Sequence, residues 1–190
     1  AQAFVNTQLA AAAAMLGWLV VEKVKQGHAT TLGAASGAVA GLVAITPCAG
    51  FVGGLAPLAI GGLAGVLCFL AISLKFKFGY DDSLDVVGVH LVGGILGALL
   101  LGFFADTSVN SLGADGVFFG GGTSLLLDQL VAVGATLVFS FVLSFGIAKL
   151  VSATVGLRVS DDEEAEGLDL TQHAETAYHF AELGHMGRIQ

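Results

Sequence analysis

Charge is scarce in this chain. Only 12% of its 190 residues are Asp, Glu, Lys or Arg, against about 25% in a typical soluble domain. That excludes an ordinary soluble globule, and an apolar share of 55% excludes a disordered chain. Proline occurs twice, and the 28 glycines follow no Gly-X-Y period, so collagen is excluded. Cysteine also occurs twice, as Cys48 and Cys68, inside apolar runs with no CxxC spacing and no neighbouring His cluster. No metal site or cofactor is expected, and both cysteines read as small buried hydrophobes. The start, Ala1-Gln2-Ala3-Phe4, has no basic region before its apolar run. It does not read as a signal peptide; it reads as the cut edge of a longer protein.

The remaining composition points to the bilayer as solvent, with a mean hydropathy of +0.87. The net charge of −8 is unevenly placed. Residues 1–158 hold seven acids and six bases, whereas residues 159–190 hold eight acids and the single base Arg188. A near-neutral apolar body with an acidic tail reads as an all-α integral membrane protein with a soluble end. So acidic a tail argues against nucleic acid as a partner.

Five stretches reach the roughly 20 residues that span a membrane as helix. They run at about 3–21, 31–52, 55–74, 84–105 and 124–155. None alternates with period two, which argues against barrel strands. The last stretch exceeds the hydrocarbon thickness and should tilt or project. All seven basic residues fall on alternate loops: Lys23 and Lys25, Lys75 and Lys77, Lys149 and Arg158, then Arg188. With five spans, the positive-inside rule puts the N-terminal end outside and the tail in the cytoplasm. Domain boundaries follow: 1–158 as a transmembrane bundle and 159–190 as an acidic cytoplasmic tail. Small residues four apart, such as Gly33, Gly37 and Gly41, suit close helix packing. The same spacing suits a narrow channel between helices, and composition does not separate the two.

His90 is the central residue, about six positions into the fourth span. An ionisable group within a span is costly and faces protein or a cavity. Two readings follow: a helix–helix hydrogen bond, or a pore residue that exchanges hydrogen bonds with a small polar solute. Asp82 and Ser83 read as caps of the helix start. Asp85 lies deeper. Five residues turn an α-helix about 140° off the starting face, so Asp85 and His90 should not pair. Pro47, after Thr46, should kink the second span. Asn6, Thr7 and Gln8 make one side of the first span polar, so that side should face protein. Asp128 and Gln129 should sit at the interface or cap neighbouring backbone. In the tail, Ser160-Asp161-Asp162-Glu163 fits a capping box and Gly167 could end the helix it starts. Leu168, Leu170, Tyr178 and Phe180 could dock on the cytoplasmic face.

Taken together, Asp81-Asp82-Ser83-Leu84-Asp85 through His90, the run Leu32–Val43, Thr46-Pro47, Val155–Val159 and Glu166-Gly167-Leu168-Asp169 resemble the Amt/Rh ammonium transporters, most closely the bacterial Amt branch. The resemblance implies an eleven-helix fold of two inverted five-helix repeats plus a long tilted helix. The five spans here would be helices seven to eleven. It implies a transporter of ammonium or ammonia, not an enzyme, in the cell membrane as a homotrimer with one pore per subunit. His90 would be the second of two pore histidines, with Asp85 and Thr46 supporting the pore and the first histidine upstream. Gly167, Asp169, Thr171 and Tyr178 would belong to the regulatory tail. Thr171 matches a threonine phosphorylated in plant members. A PII-type signal protein would bind the cytoplasmic face. The alternative is an Amt-like ammonium sensor that signals through its tail.

Overall fold

The computed structural model describes residues 1–175. Regular structure among them is helical: α1 (Gln2–Gln26), α2 (Thr31–Ile45), α3 (Ala56–Ile72), the short α4 (Leu74–Phe78), a π-helical turn (Val86–Leu91), α5 (Val92–Phe104), a 3-10 turn (Val117–Phe119), α6 (Ser124–Thr154), α7 (Asp161–Glu166) and α8 (Leu168–His173). By packing, the chain divides into two units, Ala1–Leu137 and Val138–Gln190.

The first unit is built around α1, which packs along both α2 and α3. Its buried residues recur every four positions: Asn6, Ala10, Ala14, Trp18 and Glu22. Four residues make slightly more than one turn, so this stripe is a ridge slanting across the helix. Alanine in its middle lets both neighbours come close. Gly61 and Gly65 of α3 lie on the backbone of Ala10 and Ala14, where any side chain would meet carbonyl oxygens. In lipid this closeness matters, because apolar side chains gain little by leaving apolar solvent. Trp18 closes the stripe edge-on to Phe69, ring centroids 5.5 Å apart. Cys48 and Cys68 are fully buried, and the Cys48 thiol donates to the Gly97 carbonyl.

Polar groups mark the two ends of the stripe. The Asn6 amide donates to the carbonyls of Ala49 (2.9 Å) and Val52 (2.7 Å). Of the polar trio near the start, only Asn6 is buried: Thr7 is half-buried and returns its hydroxyl to the Ala3 carbonyl, and Gln8 is exposed. At the far end the Glu22 carboxylate accepts from the Thr30 amide (3.1 Å) and hydroxyl (2.8 Å). The Thr30 hydroxyl in turn accepts from Gly33 N–H and caps α2. A buried carboxylate needs such donors to persist.

Among the described residues, four helices are long and apolar enough to cross a membrane: Gln2–Gln26, Ala56–Phe78, Val86–Phe104 and Ser124–Thr154. The stretch expected at 31–52 departs from this. Its regular helix stops at Ile45 after 15 residues, about 22 Å at 1.5 Å per residue. Pro47 has no N–H to give and disfavours a continuing helix before it. The chain proceeds to Val52 as linked turns, and Asn6 satisfies two of their carbonyls. α6 is 31 residues long, about 46 Å, against a hydrocarbon core of about 30 Å.

In the second unit, Ser160 and Glu163 form the expected capping box at the start of α7. Gly167, at φ 110, ends α7 and begins α8.

Candidate functional site

The site is prepared in α4 and in the loop after it. The Asp82 carboxylate accepts from the amides of Val86 (2.7 Å) and Val87 (2.9 Å), two donors a starting helix leaves free. Asp85 takes a left-handed φ of 55, a region Asp tolerates better than most residues. Its carboxylate meets Lys75, with Nζ to Oδ1 at 2.7 Å, and the same Nζ donates to the Asp82 carbonyl at 3.0 Å.

Val86–Leu91 then winds as a π turn, and Val92 N–H reaches back five residues to the Val87 carbonyl. His90 lies within this turn, so reckoning by α-helical turns does not describe its position. Val89 is buried with Trp18, Cys68 and Phe69, while His90 stands exposed on the other side. There it lines a cavity of about 340 Å³ with Gly94, Ile95 and Ala98 of α5 and Gln129, Val133 and Thr136 of α6. Apart from the imidazole, the Gln129 amide and the Thr136 hydroxyl, this wall is largely aliphatic. It suits a small solute that can exchange hydrogen bonds without carrying charge.

The other expected residues do not reach this cavity wall. Asp85 borders a smaller cavity of about 110 Å³, together with Glu22 and Ser36. Thr46 returns its hydroxyl to the Leu42 carbonyl at 2.7 Å. In the second unit, the Thr171 hydroxyl donates to the carbonyls of Gly167 (3.1 Å) and Glu163 (3.3 Å), which ties α8 to α7. Asp169 stands in the first turn of α8. Tyr178 and Phe180 lie outside the described residues.

Two lining residues escaped the sequence reading. Gln129 is not spent on capping, and Thr136 falls on the same face, seven residues or two turns further along. The signal was present as two polar residues at helical spacing in an apolar run. Without the facing element it does not say which side they line.

Comparison with known proteins agrees with this architecture. The model of the Ammonium Transporter Family matches residues 1–178. The chain is 54% identical over 177 residues to an ammonium transporter of Bacillus subtilis, covering 93% of this chain and 44% of that protein. It is 45% identical over 176 residues to the ammonium transporter Amt1 of Archaeoglobus fulgidus, with 93% and 44% covered. The crystal structure of Saccharomyces cerevisiae Mep2 superposes with a TM-score of 0.75 at 35% identity, covering 85% of this chain and 37% of that one. A structure titled Sensor Amt Protein superposes with a TM-score of 0.75 at 27% identity, covering 90% and 41%. The chain thus spans less than half the length of these relatives. A family match across nearly all of the chain, joined to the same helical fold, places it in the ammonium transporter family.

Proposed function

We propose that this chain forms one half of a membrane transporter for ammonium, and that the solute passes His90 as neutral ammonia. His90 on an aliphatic cavity wall is the observation that carries the reading. A full charge at the centre of a bilayer costs about 2.5–3.5 kcal/mol or more, which shifts the balance between cation and neutral form toward ammonia by roughly two decades. An imidazole can both donate and accept a hydrogen bond, so it can hand on a solute that does the same. Asp85 and Thr46 act from outside the cavity, through the helix ends they hold.

The reading extends to the whole protein. The alternating placement of basic loops supports an outer N-terminal end and a cytoplasmic tail at 159–190. The family resemblance supports a homotrimer in the cell membrane and a PII-type partner at the cytoplasmic face.

The test is ammonium-evoked current in proteoliposomes holding the full-length protein, with and without His90→Ala. The variant is expected to lose current or to admit other monovalent cations. Equal current and selectivity in both would reduce His90 to a packing residue.

A further inference from the structure

Gly88 and Gly93 are five residues apart, yet α3 borders both: Gly88 presses on it and Gly93 sits where α2 and α3 meet. A Cβ on Gly88 would come within 2.6 Å of Ile72 Cγ2 of α3, while one on Gly93 would lie between two helices, 3.3 Å from Val43 Cγ1 of α2 and 3.4 Å from the Cys68 sulfur of α3. Five α-helical residues leave the second position about 140° from the first. An α-helix therefore cannot turn both glycines toward one neighbour. The π turn between them takes up the surplus residue and does so.

Such a turn is rare, and here contacts flank it on both sides. The upper end is held by Gly97, seated on the backbone of Ala44. The lower end begins at Asp85, a non-glycine residue at positive φ. The side chains of Lys75, Asp82 and Asp85 together fasten that end. Lys75 Nζ joins the Asp85 carboxylate and the Asp82 carbonyl, and the Asp82 carboxylate holds the amides of Val86 and Val87. The ion pair is partly shielded, at 18% and 27% side-chain exposure.

We infer that Lys75 is a positioning residue for His90: through Asp82 and Asp85 it keeps residues 86–91 in the π register that sets the imidazole against the cavity. Without it the turn rewinds to α geometry. Residues 86–89 then rotate by about 100° relative to α5, Val89 leaves its pocket, and His90 loses its fixed support. The transport part of this inference rests on the proposed role of His90; the register part does not.

The test is the structure of the full-length protein carrying Lys75→Met, with ammonium-evoked current from the same preparation. The expected result is α-type hydrogen bonding across 86–91, Gly88 withdrawn from Ile72, and a current lower by roughly tenfold to a hundredfold, the loss that follows when a functional group is displaced by about an ångström. Lys75→Arg should restore most of the current, because a guanidinium can meet the same carboxylate. Asp85→Gly cuts the same tie while suiting the positive φ; it should fold and show the same rewinding even if Lys75→Met does not accumulate. A turn that stays π in these variants overturns the inference whatever the current does. A rewound turn with unchanged current overturns it as well. A wild-type protein without current would sink the transport reading alone, since the register is read from the structure.

Discussion

Single residues in this chain act mainly by satisfying backbone that the fold leaves open. Asn6 shows this best. It stands 43 residues before Ala49 in sequence yet donates to its carbonyl and to that of Val52. Asn6→Ala removes both donors and leaves two carbonyls in a buried setting. The expected loss is about 1–3 kcal/mol, read as a lower melting temperature of the full-length protein in detergent. Asn6→Asp should be worse, because a carboxylate presents acceptors to acceptors. Sequence made Asn6 visible as a polar residue in an apolar run. Its partners were not visible, since they lie on a turn that exists only because Pro47 stops α2.

Elements show where helical periodicity succeeds and where it fails. The bounds of α3 and α6 lie within two residues of the apolar stretches at 55–74 and 124–155, whereas α1 continues to Gln26, beyond the expected 21, and α5 begins only at Val92 after the π turn. The second stretch breaks earlier than its apolar run suggests, because hydropathy is blind to the missing N–H of Pro47. The π turn is invisible to any count that assumes a fixed period. α7 is the opposite case, legible residue by residue. The amide and hydroxyl of Ser160 both donate to Glu163, which holds its carboxyl below the usual glutamate value. Depression in the folded state means the charged box supports α7 fully above the unfolded value, about 4.3. That support fades as pH falls below it and is gone once pH passes through the depressed folded value. A titration of the Glu163 carboxyl by carbon NMR in the full-length protein should give a midpoint below about 4.3. A midpoint at or above that value would show the box unformed. With Glu163→Gln, α7 should lose this acid sensitivity while keeping its start, because an amide oxygen still accepts.

At the scale of the whole molecule, the described part of the tail is held together by ties of its own. Ser160 and Glu163 start α7, Gly167 turns the chain, and Thr171 fastens α8 back to Glu163. So many ties in so short a segment argue for a defined surface in place of a loose extension. Removing residues from Ser160 onward is expected to lower transport in the full-length protein while membrane expression stays intact. Unchanged uptake of ammonium by the truncated protein would deny the tail a regulatory role. Phosphate at Thr171 would remove the hydroxyl proton that now binds two carbonyls, so Thr171→Glu should loosen α8 from α7.

Composition and hydropathy alone pointed to the bilayer as solvent and to the helical class. Each of these depends on sums over many residues, which tolerate local exceptions. Hydropathy also singled out His90, because an ionisable group in an apolar span stands out without any knowledge of its neighbours. The cavity beside His90, the presence of Gln129 and Thr136 in its wall, and the tie from Lys75 to the π turn came only with the tertiary structure. These depend on which side of a helix meets which neighbour. A turn that departs from 3.6 residues shifts that side by an amount no periodic reading supplies.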